Sequence, residues 1–245
     1  AFASKPEIES QRTPDAVAQI SLRVVTGLEV ASVIASVFIT TWMIIPLQPN
    51  LRWLVAVPGV LALLLIINSH RVRGERPSEI GFTLRHFGKT LRLVALPTVA
   101  ACAVLAAIGY SANSFHRTSH FWSNLGFLPV WGLMQQYVLQ GFIYRRMRFL
   151  FVDENAAQAK QQRRINLAIL ATAFVFALVH APNLALMCLT LIGALFWSWV
   201  YERAPNLLAL GLSHAIISLM LMTALPPWLL PSMSVGYKHF LYQKF

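Results

Sequence analysis

Apolar runs of about 20 residues, the length a helix needs to cross the hydrocarbon of a bilayer, recur along this chain and exclude most of the folds open to it. They fall at about 22–45, 51–68, 91–110, 125–147, 165–180, 184–201 and 206–225, which predicts seven spans. Only 12% of the 245 residues are charged, roughly half of what a soluble domain carries. A soluble enzyme and a disordered tail are thereby excluded. The net charge of +11 does not require a nucleic-acid partner, because the basic residues punctuate apolar runs instead of clustering on a polar surface.

The basic residues predict orientation. Six Lys and Arg lie between Arg71 and Arg92 and six between Arg145 and Arg164, whereas the first and third connections offer only Arg52 and Arg117. The even-numbered connections and the N-terminus are therefore expected to face the cytoplasm, as solvated loops attracted to anionic lipid. The expected location is a bacterial inner (cytoplasmic) membrane. Trp42, Trp53, Trp122 and Trp228 near span ends fit an interfacial belt, with Trp197 and Trp199 packing or facing lipid. Cys102 and Cys188 lie inside apolar runs and read as packing residues.

Three regions follow: a polar cytoplasmic segment (1–21), a transmembrane helical domain (22–225) and an interfacial or re-entrant tail (226–245) interrupted by Pro226, Pro227 and Pro231. The start lacks an apolar core, so no cleavable signal peptide is expected, and the beginning at Ala fits removal of an initiator Met. The final YQKF contains no Cys that could be prenylated. The fold class is an all-α polytopic bundle.

Polar side chains inside spans must face protein, water or one another. Sorting the spans by this rule leaves three clusters: Gln135, Gln136 and Gln140 on the fourth, Phe176 and His180 followed by Asn183 at the end of the fifth, and Ser213, His214 and Ser218 on the seventh. Gln136 and Gln140, Phe176 and His180, and His214 and Ser218 are each four residues apart, which places each pair on one helix face. The three faces could be interhelical hydrogen-bond glue or the lining of a common cavity.

These blocks, in this order, resemble the CPBP family of intramembrane proteases, which includes the CAAX prenyl proteases and bacteriocin-processing enzymes. The family pattern is EExxxRG on one helix, FxxxH on the next and a later HxxxN. Here QQYVLQG, FALVH followed by APN, and HAIIS stand at those places. WVYERAPNLLALGLSH before the last block and RPSEIGFTLRHF before the third span are also similar to family segments, so the resemblance covers roughly 76–221. It implies a membrane endopeptidase in which a Glu and the first His activate water while the second His and the Asn stabilise the oxyanion. Carried over by position, the Glu pair falls on Gln135 and Gln136, the Arg on Gln140, the histidines on His180 and His214, and the Asn on Ser218.

The departures bear on the chemistry, because an amide does not take a proton from water near neutral pH as a tuned carboxylate does. Replacing the acids and the Arg together leaves a neutral network in place of a stranded cation. Among the nine acids, only Glu29 and Glu202 lie in or at a span. Glu29 is expected to face protein or snorkel. Glu202 is expected to pair with Arg203, far from His180.

Two readings remain. One is a CPBP-type endopeptidase using His180 and His214 as catalytic groups, with Gln135 and Gln136 positioning water or substrate and Gln140, Phe176, Asn183 and Ser218 shaping the cavity. The other is a catalytically silent relative whose cavity binds a peptide, lipid or partner helix, as a scaffold or subunit of a membrane complex. No cofactor and no metal are expected, the partners being membrane lipid and a membrane protein or peptide. Tetrapyrrole or metal ligation by His180 and His214 is a weaker third reading, since zinc wants three or four ligands and His70, His86, His116, His120 and His239 lie in loops or the tail. Transport has little support beyond the polar cavity.

Overall fold

The computed structural model describes residues 14–47, 49–116, 121–153 and 156–242, and every regular element among them is helical. The helix α1 (Pro14–Phe38) runs into a π-helical turn (Ile39–Ile44), and a 3-10 stretch (Pro49–Val55) leads into α2 (Ala56–Val72). The short α3 (Pro77–Ile80) precedes α4 (Phe87–Ser111). Next comes one long rod made of α5 (Phe121–Gln136), a π-helical segment (Tyr137–Tyr144) and α6 (Arg145–Phe151). The helices α7 (Gln158–Leu178), α8 (Leu184–Arg203), α9 (Leu207–Ala224) and α10 (Tyr237–Tyr242) complete the chain.

Five helices among the described residues are long and apolar enough to cross a membrane: Ile20–Ile44, Trp53–Val72, Phe87–Ser111, Leu184–Arg203 and Leu207–Ala224. The other two expected spans are also helical, but the first is interrupted by the π-helical segment and α7 begins with the polar run QAKQQRR. The architecture is the all-α polytopic bundle expected. Most of the expected N-terminal segment and the third connection, with Arg117 and His120, lie outside the described residues.

Asn183 starts α8 by accepting the Leu186 N–H on its side-chain oxygen, and Asn206 starts α9 by accepting that of Ala209, so each satisfies one of the donors a helix leaves open at its first turn. The Asn206 amide also donates to the carbonyl of Thr83. Around it the Leu207 N–H donates to the Gly81 carbonyl and the Tyr201 hydroxyl to that of Ile80. The RPSEIGFTLRHF segment is therefore a bracket that locks the α8–α9 connection.

The central crossing is that of α5 and α9. A Cβ on Gly132 would stand 2.7 Å from the Gly211 carbonyl oxygen, and one on Gly211 would stand 2.9 Å from Cα of Leu133. Any side chain at either position would force the helices apart, so small residues set the close approach, as they do in membrane bundles generally.

The Arg-rich end is built differently from the expected solvated loops. Arg146 is only 2% exposed, and its guanidinium donates to both oxygens of Glu75 and to the Ser69 hydroxyl. Arg145 also donates to Glu75, and His70 donates Nδ1–H to it at 2.5 Å. Glu29 pairs with Arg73 at 2.7 Å and lies 3.7 Å from Arg146. His70 lies in α2 and is buried, as is His239 of α10, so neither belongs to an open loop or a free tail. Cys188 is exposed on α8 and is not a packing residue, because its side chain faces outward from the bundle.

Burial pushes the Glu75 carboxyl up, but the hydrogen bonds from His70, Arg146 and Arg145 outweigh it and hold the group well below its usual 4.5. A depressed folded-state value means that Glu75 stabilises the fold fully above the ordinary carboxyl range and loses that contribution as pH falls below it. Glu75→Ala strands a buried cation and should cost about 2 kcal/mol or more, read as a lower unfolding temperature in detergent at pH 7. The gap between variant and wild type should narrow below about pH 4; a gap constant with pH would refute the assignment.

Candidate functional site

The glycine crossing determines what α5 and α9 bring together. Gln136 lies four residues beyond Gly132 and His214 three beyond Gly211 on helices that run in opposite directions, and each side chain leans back toward its own helix N-terminus, so the two meet at the level of the contact. The Gln136 amide donates to Nδ1 of His214 over 3.1 Å, which leaves the other ring nitrogen of a neutral His214 to carry the proton. The His214 ring is stacked on Trp197 of α8, with centroids 4.6 Å apart and planes within 8°. The Trp197 indole N–H donates to Ser213, whose hydroxyl also bonds Thr98 of α4 at 2.8 Å. Four helices thus hold one imidazole.

His180 lies in the turn after α7, not on the helix, but it curls back so that Nδ1–H donates to the Phe176 carbonyl at 2.6 Å. A carbonyl oxygen only accepts, so Nδ1 carries the proton and Nε2 of the neutral ring keeps its lone pair. The Phe176 ring stands edge-on to both imidazoles, its centroid 4.7 Å from that of His180 and 6.2 Å from that of His214.

A cavity of about 590 Å³ lies between α1, α2, α5 and α7. Gln135, Phe176 and His180 line it, whereas Gln136, Gln140, Asn183, His214 and Ser218 do not. Three roles follow. Gln136 holds the His214 ring. Gln140 is fully buried in the π-helical segment, and neither end of its amide has a partner among the described residues. The π-helical winding also takes Gln140 off the regular register that would stack it above Gln136. Asn183, besides capping α8, donates to the carbonyls of Ser232 and Ser234 and so ties down the segment after α9. Ser218 is buried on α9.

That segment folds back over the end of the bundle nearest His180. The Gly236 N–H donates to Ala181, and Val235 lines the cavity. Gly236 has φ +58°, and a Cβ there would lie 2.6 Å from Thr41, which makes it a position for glycine alone.

Glu202 is not paired locally with Arg203. It accepts from the Tyr144 hydroxyl at 2.6 Å and from Arg148 at 3.2 Å, because α6 packs beside the last turn of α8, while Arg203 instead covers the Trp199 ring. His180 precedes the first turn of α8 and Glu202 lies in its last, about 30 Å apart at 1.5 Å per residue. Among the described residues, no group of three or more His, Cys, Asp or Glu is gathered as metal ligands would be.

The sequence pattern missed Gly132, Gly211, Trp197 and Thr98. The glycines had a readable signal, each standing within one turn of a polar residue on its own helix.

Fold and site define a polytopic helical membrane protein with one imidazole held at a helix crossing and a second, in the turn after α7, lining an apolar cavity. Residues 117–220 match the family model described as Type II CAAX prenyl endopeptidase Rce1-like, a stretch that contains all three polar blocks. The match covers less than half of the chain, and that stretch is similar to the CPBP-type intramembrane proteases. No curated protein and no solved structure matches the chain.

Burial of an unpartnered amide costs about 1 to 3 kcal/mol, whereas an apolar residue of similar shape avoids that cost. Gln140→Met should therefore raise the unfolding temperature by several degrees. Gln136→Leu should lower it, because His214 Nδ1 then loses its donor. Thermal unfolding of the two variants in the same detergent measures both signs.

Proposed function

We propose that this protein is a catalytically silent CPBP relative that holds an apolar guest in its cavity and serves as a binding subunit of the membrane in which it sits. One observation carries this reading: among the described residues, no carboxylate is hydrogen-bonded or ion-paired to His180. Glu29 is engaged by Arg73 and Arg146, Glu75 by Arg145, Arg146 and His70, and Glu202 by Tyr144 and Arg148, all at the opposite end of the bundle. Gln135 and Gln136, at the places of the family's Glu pair, have no basic oxygen to offer water. General-base assistance is worth about 10² to 10⁴ in rate, and the described residues around His180 supply no carboxylate for it. What the chain keeps is the apolar cavity.

The same reading places the Arg-rich end on the cytoplasmic side, in agreement with the distribution of Lys and Arg between connections. It also accounts for the care taken over neutral packing. His214 is braced by a neutral amide, Gln136, and by the Trp197 ring.

The test uses a farnesylated peptide with a CAAX ending, the substrate class named in the matching family description, incubated with the purified chain in mild detergent. The expected result is peptide release no faster than in a control without protein. Release that depends on wild-type protein and disappears in His180→Ala would overturn the silent reading and restore the endopeptidase.

A further inference from the structure

We infer that the guest is a single-tailed, uncharged lipid whose head group both donates and accepts a hydrogen bond, such as a long-chain alcohol or primary amide. The inference rests on the binding reading above and names the ligand class of the same cavity. Size decides first between lipid and protein. A transmembrane helix about 10 Å across and 30 Å long displaces on the order of 2,000 Å³, several times the cavity of about 590 Å³. That volume instead lies in the range of small-molecule sites.

Charge decides next. Among the described residues, no Asp, Glu, Lys or Arg lines the cavity, and its wall is apolar apart from Ser36, Thr40, Thr41, Gln135 and His180. The three hydroxyls have given up their protons, Ser36 to the Ser32 carbonyl, Thr40 to that of Ser36 and Thr41 to that of Val37, and offer a guest no donor. An ionised head brought into such a site would give up its hydration with no counter-ion in return, a cost of several kcal/mol or more.

Gln135 and His180 are the two side chains whose polar groups toward the cavity are not already used. His180 is fixed by Phe176 in the tautomer that makes Nε2 an acceptor. Gln135 lines the same cavity, and no hydrogen bond engages its amide among the described residues, so it offers a donor and an acceptor. A hydroxyl can donate to His180 and accept from Gln135, and a primary amide can do the same. A bare alkane leaves both unpaired, while a quaternary ammonium has no proton to donate.

The experiment measures binding of five probes with a common 16-carbon chain to the full-length purified protein in detergent, by displacement of a fluorescent long-chain amide. The probes are hexadecanol, palmitamide, palmitate, hexadecyltrimethylammonium and hexadecane. Hexadecanol and palmitamide should bind at least about tenfold more tightly than the other three. Gln135→Leu and His180→Phe should each weaken hexadecanol by about tenfold, the loss of one hydrogen bond in a dry site, with hexadecane unchanged as evidence that the cavity has kept its shape. Palmitate binding as tightly as hexadecanol, or hexadecanol binding unaffected by either substitution, would overturn the head-group assignment and leave the cavity reading intact. Failure of all five to displace the reporter would overturn both.

Discussion

The contact between Glu75 and Arg146 holds the Arg-rich end of the bundle together. A guanidinium that is 2% exposed has no water to solvate it, so its partner must come from the protein. The partner is the carboxylate of the loop just beyond α2, joined by Ser69 from that helix and by Glu29 from α1. Arg146 itself sits in the first turn of α6, on the rod that carries the three glutamines. One ion pair therefore ties the first two helices to the element that bears the site. Around it, Arg145 donates to the carbonyl of Glu79, which connects the same cluster to the bracket holding the α8–α9 turn.

Charge is thus concentrated at one end and absent from the middle. Where the family pattern has two carboxylates and a guanidinium, this chain has three amides, and the consequences differ residue by residue. Gln136 found a partner in His214 because the glycine crossing delivers one to the other. Gln135 faces the cavity and stays available to a guest. Gln140 is enclosed and finds no partner among the described residues. A neutral interior of this kind tolerates an apolar occupant and resists an ionised one, and this links the composition of the site to the kind of molecule it can hold.

Much of the fold was legible because bilayer physics leaves few options. Long apolar runs have to be helices when every backbone group must bond internally, and the runs at 22–45, 51–68, 91–110, 184–201 and 206–225 correspond to the five candidate spans. The polar blocks pointed to His180, His214 and the glutamines as members of one region, and the family match over 117–220 encloses them. The fates of the ionisable groups were less legible. Glu202 was expected beside Arg203 because adjacent opposite charges suggest a local pair, whereas neighbours in sequence do not face each other on a helix. Arg145 and Arg146 were expected in a solvated loop because a run of basic residues resembles one, yet a carboxylate 70 residues earlier draws them inward.

Sequence alone determined that the chain is helical, embedded in a membrane, and equipped with two imidazoles and three amides inside its apolar runs. These follow from local composition, span length and motif order, which need no knowledge of which helices touch. Only the tertiary structure decided which amide serves which imidazole, which of the named residues line the cavity, and which carboxylates are already engaged. Those outcomes depend on the distance between helix backbones at Gly132 and Gly211 and on the return of the tail across His180, and both are contacts between residues far apart in the chain.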